Sequence, residues 1–332
     1  NYYLYLLVLT MNELIAILGL CLIVSFYLAF NGNFDLLGAA SSTNDPNSPD
    51  GTGSTNVPSS IQNNLLLIEH LTQHLQTFRK NYRNGPENFN EFGYKVDGSI
   101  NANGQDVDLS YTYPIIKGKS VTFSVCLNPT EVSQVIDGYG ATEDLNTLKG
   151  IEIRTNNGKV TIDTNYPYVV DLSNQFAAKI AAHIVENLQQ LGKDDYVSRV
   201  LAAKNFVQHL PYGIPKFEIP PFQYIELALP YESFVLSYSD CDSKSVLMAS
   251  ILKELIEEDN ILLVSCKMEN PNIPGEMGGH MFIAVAGMPF RRTSTKIHNG
   301  KTYHFIETTT PHIPDDYPMA DVSDLEFYPV AV

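Results

Sequence analysis

The sequence has few cysteines and no paired cysteine motif. Its four cysteines are Cys21, Cys126, Cys241 and Cys266. None of them are spaced as the ligands of a common structural zinc site, which excludes a site of that type. Cys126 and Cys266 could form a disulfide if the domain is exported. The alternative is that both are buried thiols that pack as small apolar groups.

Basic residues are also scarce. The 332 residues include 21 Lys and Arg against 37 Asp and Glu, which gives a net charge of −16. Because phosphate binding needs clustered Lys and Arg, we expect no nucleic-acid partner. The length allows one large or two small domains with a sizeable core.

Charged residues are almost absent from the amino-terminal segment. Residues 1–34 contain one, Glu13, and the seventeen residues from Leu14 to Phe30 contain none. As a helix they would reach about 25 Å, near the lower limit for a membrane span. We therefore predict a single-pass membrane anchor over 1–34, with the folded part outside the cytoplasm. A cleaved signal peptide is disfavoured, because no basic segment precedes the apolar run. A buried helix within an assembly is the other alternative.

The rest of the chain divides by composition and period. Residues 35–60 are rich in Ser, Asn, Pro and Gly, which predicts a flexible linker. Residues 61–172 combine an amphipathic helix from Ile61 with a β-rich region of unknown role. Strands are predicted at 107–113 and 120–125, and a hairpin at 151–163. Helices return in the last region, 173–332, at about 173–191 and 194–210.

Cys241 begins a predicted helix over 241–255, with Asp240 or Ser239 as its N-cap. In the first turn the helix dipole favours negative charge, which would stabilise a thiolate. The first-turn amides lack helical partners and can serve as oxyanion donors. The alternative is a buried helix that happens to contain a cysteine.

Two later residues can complete a thiol nucleophile. His280 follows Gly278 and Gly279 at the start of a predicted strand, where it can take the thiol proton. Glu307 lies in a later strand segment and needs a partner, for which His280 is the natural candidate. The alternatives are a structural histidine and a surface carboxylate. His298, His304 and His312 are possible metal ligands, but we expect no metal and no cofactor.

These segments resemble the transglutaminase-like superfamily, which shares the papain-like cysteine protease core. The resemblance runs from about Asp194 to Pro311, and its motifs lie at 229–234, 239–247, 280 and 307–309. It implies an α+β fold in which the nucleophile helix packs on an antiparallel sheet. By that likeness Cys241 is the nucleophile, His280 the general base and Glu307 the orienting acid.

The chain departs from the family pattern in two ways. Ser239 replaces the usual Gly before the nucleophile, and the sequence has no Trp, although relatives often place Trp or another aromatic near the oxyanion site. Tyr231 and Tyr238 are candidate substitutes, with Asp240 as a further supporting residue. Glu232 is expected to be structural.

The expected function is that of a membrane-anchored cysteine hydrolase with a protein or peptide substrate. Cys241 would attack a peptide bond or a Gln side-chain amide and form a thioester. The alternative is a non-catalytic membrane-anchored binding or structural subunit of a cell-surface assembly, since a fold does not fix a function.

Overall fold

A computed structural model describes residues 96–100, 106–139, 150–156, 159–213, 227–236, 238–269, 277–311 and 323–330. All of them belong to the second of two units into which the chain divides, Val57–Val332. The predicted anchor, the linker and the amphipathic helix from Ile61 lie outside the described residues. Among the described helices, none is long and apolar enough to cross a membrane.

The described residues form six α-helices, one short 3-10 helix at Glu258–Asn260 and ten strands. The helices are α1 Pro129–Tyr139, α2 Tyr166–Leu172, α3 Asn174–Gln190, α4 Tyr196–Gln208, α5 Pro230–Leu236 and α6 Cys241–Lys253. The strands are β1 Val96–Ile100, β2 Val107–Ile116, β3 Lys119–Leu127, β4 Ile151–Asn156, β5 Lys159–Thr164, β6 Ile261–Glu269, β7 Met277–Ala286, β8 Thr295–His298, β9 Lys301–Ile306 and β10 Ser323–Pro329.

The strands form three antiparallel sheets. A five-stranded sheet has the order β10-β6-β7-β9-β8, a second sheet contains β1-β2-β3, and β4 pairs with β5 as a hairpin. The α+β class with antiparallel sheets is confirmed. The strands predicted at 107–113 and 120–125 and the hairpin predicted at 151–163 are confirmed as well.

Helix α6 packs on β6 and β7 of the five-stranded sheet. Alternate residues of β7 face opposite sides of the sheet, as the period of a strand requires. Met281, Ile283 and Val285 join the core that contains α6, whereas Phe282 and Ala284 join a second cluster on the other face. Both faces of β7 are thus buried, which fixes the strand relative to the helix.

The three-stranded sheet shares the core of the helices. Tyr111 on β2 donates a hydrogen bond from its hydroxyl to the Phe206 carbonyl on α4 at 3.0 Å. The rings of Phe206 and Phe234 stack with centroids 5.6 Å apart, and Phe123 of β3 meets both edge-on. Residues on both sides of the predicted domain boundary at 172 therefore pack in one core.

Two predicted helices agree closely with the structure. α3 buries Phe176, Ile180, Ile184 and Leu188, as its period predicts. Its end is set by Gly192, whose φ of +64° costs little only for a residue without Cβ. α4 starts after Asp195, whose side chain accepts from the Ser198 amide at 2.9 Å.

Cys126 and Cys266 differ in their exposure to solvent. Cys266 on β6 is buried and Cys126 on β3 is exposed, and both are free thiols. The expectation of a buried thiol is therefore confirmed for Cys266 and wrong for Cys126. Cys126 lies on the solvent side of β3, where exposed and buried residues alternate.

Candidate active site

Cys241 is the first residue of α6. The Asp240 side chain accepts a hydrogen bond from the Ser243 amide, which confirms Asp240 as the N-cap. The helix behind the cysteine is buried from Ser243 to Leu252, while Cys241 itself is half-buried. The helix thus carries its thiol from the core to an accessible edge, at the end where its dipole is positive.

The ends of β7 and β9 in the five-stranded sheet position His280 and Glu307. β9 pairs with β7 only between Ile283 and Ala286, so β9 has ended before the level of His280. β7 itself begins at Met277, three residues earlier than predicted, and Glu307 is the first residue after β9. His280 therefore lies on β7 beyond the last β9 pair, near the point where β9 ends.

The structure brings Cys241, His280 and Glu307 together. Nε2 of His280 lies 2.8 Å from Oε2 of Glu307, and the imidazole lies close enough to the Cys241 thiol for the two groups to interact. Because Glu307 occupies Nε2, the nitrogen left for the thiol is Nδ1. Burial alone would lower the pKa of His280, but the interactions with Cys241 and Glu307 raise it to about 10. The ring is therefore an imidazolium at neutral pH.

The carboxylate of Glu307 is held on both oxygens. Its Oε1 accepts from the Thr308 amide at 2.8 Å, from the Thr309 amide at 2.7 Å and from the Thr309 hydroxyl at 2.6 Å. Burial raises the pKa of Glu307, but the hydrogen bonds from His280 and Thr309 outweigh it and lower the pKa below its usual value. The buried side chain is thus a fixed anion behind the imidazole.

Tyr212 is a further residue beside the nucleophile, and no motif in the sequence indicates it. Its hydroxyl lies close enough to the Cys241 thiol for the two groups to interact, and the residue is 55% exposed. Tyr212 lies beside the nucleophile because it forms an isolated parallel bridge with Ser239, in which the Ser239 amide donates to Pro211 and the Gly213 amide donates to Ser239, both at 3.1 Å. Burial and the neighbouring acidic groups raise the pKa of Tyr212 to about 12, so the phenol keeps its proton at neutral pH.

Tyr231 and Tyr238, the two candidate aromatic residues, and Glu232, expected to be structural, occupy different positions around the site. Tyr231 is buried, and its hydroxyl donates to Glu232 at 3.2 Å. The Tyr238 ring packs on Gly213, where an added Cβ would come within 2.9 Å of the ring. Tyr238 therefore supports the loop that carries Tyr212. Glu232 also accepts from the Leu229 amide at 2.8 Å, in keeping with a structural role.

Asp240 and Asp242 form a carboxyl pair next to the nucleophile. Burial and a hydrogen bond to Asp240 raise the pKa of Asp242 to about 8. Asp242 therefore keeps its proton at neutral pH. The repulsion between these acids and a thiolate at Cys241 is smaller than two full charges would produce.

Aromatic residues line the neighbourhood of the carboxyl pair. Tyr166 on α2 and Tyr328 on β10 meet edge-on with ring centroids 5.3 Å apart. Burial raises the pKa of Tyr166, and the charges of Asp242 and Cys241 add to that effect. The nucleophile therefore lies near both acidic and aromatic side chains.

Within the described residues, no group of three or more His, Cys, Asp or Glu could hold a metal ion. Nδ1 of His304 lies 2.9 Å from the Thr293 hydroxyl, and the His298 ring stacks on Phe327 with centroids 5.9 Å apart. His312 lies outside the described residues.

No family model matches the chain, and no curated protein is significantly similar to it in sequence. The functional assignment therefore rests on the arrangement of these side chains.

Proposed function

We propose that the protein is a cysteine hydrolase of the transglutaminase-like, papain-like type, acting on a peptide bond or a Gln side-chain amide. The observation that carries this proposal is the position of His280, which contacts the Cys241 thiol and the Glu307 carboxylate at once. An imidazolium between a thiol and a fixed carboxylate stabilises the thiolate, which is the nucleophilic form of cysteine.

In the first half of the reaction, the Cys241 sulfur attacks the amide carbon and the carbonyl π electrons move to oxygen. The tetrahedral intermediate then collapses, and the C–N bond breaks as Nδ1 of His280 gives its proton to the leaving nitrogen. A thioester on Cys241 and a free amine, or ammonia from a Gln side chain, are the products of this half.

Two kinds of hydrogen-bond donor would stabilise the oxyanion of that intermediate. The amides of the first turn of α6 lie at the positive end of the helix, as the start of the helix at Cys241 requires. The Tyr212 phenol adds a proton donor within hydrogen-bond reach of the sulfur. We assign to Tyr212 the oxyanion role expected of Tyr231 or Tyr238.

In the second half, neutral His280 takes a proton from water as the water oxygen attacks the thioester carbon. Collapse of the second tetrahedral intermediate releases the carboxylic acid and returns the sulfur to its starting state. Glu307 keeps the ring oriented and favours its charged form throughout, because its own oxygens are fixed by Thr308 and Thr309.

The fold supports this proposal. A helix that starts at the nucleophile and packs on an antiparallel sheet, with the histidine and the acid supplied by that sheet, is the arrangement expected for a papain-like core. The predicted membrane anchor at 1–34 would place this site near a membrane, with a protein or peptide as its substrate.

The test is acylation of the protein by p-nitrophenyl acetate, followed by mass spectrometry of its peptides. We expect a burst of about one equivalent of p-nitrophenolate and an acetyl group on Cys241. Cys241→Ala should abolish the burst and His280→Gln should slow it. Absence of acetyl-Cys241 from the wild-type protein would refute the catalytic proposal and favour a binding or structural role.

The type of amide can be separated in the same preparation. Ammonia release from Gln-containing peptides would identify a side-chain amidase, whereas new amino termini would identify a peptidase. Cys241→Ala is the control for both measurements, because it leaves the fold intact and removes only the half-buried sulfur.

A further inference from the structure

A buried lysine lies directly behind the candidate site. Lys244 is in the first turns of α6 and has no exposed surface. Its Nζ donates to the carbonyls of Leu210, of Thr309 at 3.0 Å and of Gln208 at 3.4 Å. An ammonium group is costly to bury, and three carbonyl acceptors are the kind of compensation that such a group requires.

The three carbonyls belong to segments that each lead to the site. Leu210 precedes the Pro211–Gly213 stretch that carries Tyr212 along Ser239, and Thr309 closes the turn that holds the Glu307 carboxylate. Lys244 itself is three residues after Cys241 on α6. One side chain therefore joins the supports of the nucleophile, the acid and the phenol.

A second set of hydrogen bonds connects the same segments. The Gln208 side chain donates to the Glu307 carbonyl at 2.8 Å, and the Ser245 hydroxyl contacts both the Cys241 carbonyl and the Thr308 hydroxyl. These groups are neutral, whereas Lys244 also interacts electrostatically with Glu307 and Asp240. Lys244 therefore differs from its neighbours in combining charge with three contacts.

We infer that Lys244 is a positioning residue, which holds the helix of Cys241, the turn of Glu307 and the loop of Tyr212 in register for the thiol chemistry. It does not touch the reacting atoms and acts through Glu307 and the backbone of the two segments. The inference rests on the proposed function and adds the residue that links the segments of Cys241, Glu307 and Tyr212.

Burial and the neighbouring acids act on the charge of Lys244 in opposite directions. Burial lowers the pKa of Lys244 to about 7, against the opposing effect of Glu307 and Asp240. The positioning role rests on the three carbonyl contacts, which join α6 to Gln208 and Leu210 on one segment and to Thr309 on the other.

The test compares Lys244→Met and Lys244→Gln with the wild-type protein. Met keeps the length and removes every donor, while Gln keeps two donors and removes the charge. Lys204→Met is the matched control, because Lys204 is also a buried lysine, 6% exposed, on the neighbouring helix α4. The readouts are the rate of Cys241 alkylation by iodoacetamide as a function of pH and the thermal unfolding midpoint.

We expect both Lys244 variants to lose about tenfold or more in the neutral-pH alkylation rate, with a profile moved toward that of an ordinary thiol. Lys204→Met should lower the melting temperature and leave the profile of Cys241 unchanged. A wild-type profile in either Lys244 variant that folds would overturn the inference, since a purely structural lysine changes stability alone.

Failure of the proposed function would give a different alkylation result. In that case the wild-type Cys241 would already react as an ordinary thiol, and His280→Gln would not change its profile. The positioning role would then fall together with the catalytic one. If Lys244→Met does not fold, Lys244→Gln decides the question by the same criterion, and its native fold is checked by circular dichroism.

Discussion

Cys266 lies directly opposite His280 in the antiparallel pairing of β6 and β7. Direct partners in such a pair project to the same face of the sheet, so a second thiol lies beside the imidazole that Cys241 contacts. Cys266 is only 5% exposed, and burial together with the charges of Glu307 and Cys241 raises its pKa to about 11. It is therefore a protonated and poorly accessible thiol at neutral pH.

This contrast predicts the order in which the described cysteines react. With iodoacetamide at neutral pH, Cys241 should be alkylated about tenfold or more faster than Cys266, because alkylation needs an accessible thiolate. Cys126 is exposed, but partial desolvation and the neighbouring Asp108 carboxylate raise its pKa, so exposure alone should not make it the fastest. Site-resolved mass spectrometry measures all three rates in one sample. Labelling of Cys266 as fast as Cys241 would contradict the prediction.

The His280 ion pair predicts a pH dependence of stability. Its pKa is raised from 6.5 to about 10 in the folded protein, so the folded state binds its proton more tightly than the unfolded state. The stabilisation is complete below the unfolded pKa and is lost as the pH rises toward the folded value. The difference in unfolding free energy between the wild type and His280→Gln should therefore be largest near about pH 6 and shrink toward about pH 10. Urea unfolding at a series of pH values measures it.

His304 provides the control of opposite sign. Burial lowers its pKa, so the folded state binds its proton less tightly and the stability that depends on His304 should rise with pH through the ordinary range of histidine. A difference for His280→Gln that also rises with pH would show that its ring is not stabilised as an imidazolium.

The local part of this site could be predicted from the sequence. Asp240 before an apolar run at helical spacing indicates where α6 begins, and that fixes the position of Cys241 in the first turn. Strand alternation places Glu307 on the face of Tyr303 and Phe305, although the strand ends one residue before Glu307. These features depend on neighbours in the chain, which a sequence displays directly.

Tyr212 and Lys244 could not be assigned in the same way. Tyr212 reaches the nucleophile through a bridge to Ser239, and the partners of Lys244 lie 34 to 65 residues away in the chain. Neither pairing leaves a periodic signal. Tyr231 and Tyr238 are candidates close to Cys241 in sequence, whereas Tyr212 comes from a separate segment that the bridge to Ser239 brings to the nucleophile.

The shared core predicts that the three-stranded sheet and the helices unfold together. Phe206 is fully buried between Tyr111, Tyr113, Phe123 and Phe234. Phe206→Ala should destabilise the protein by about 3–5 kcal/mol through lost burial and the cavity left behind. Ile297, which is 71% exposed, is the control, and Ile297→Ala should change stability by less than about 0.5 kcal/mol. Separate unfolding transitions for the sheet and the helices would contradict a single core.

The oxyanion role of Tyr212 can be separated from its contact with the thiol. Alkylation by iodoacetamide passes through no oxyanion, whereas acylation by p-nitrophenyl acetate does. Tyr212→Phe should therefore slow acylation of Cys241 by about a hundredfold, the usual cost of losing one oxyanion donor, and leave its alkylation rate within about twofold of the wild type. The alkylation rate serves as the internal control, because it reports directly on the Cys241–His280 pair. If both rates fell by the same factor, the Tyr212 hydroxyl would act on the ionisation of Cys241 and not on the oxyanion.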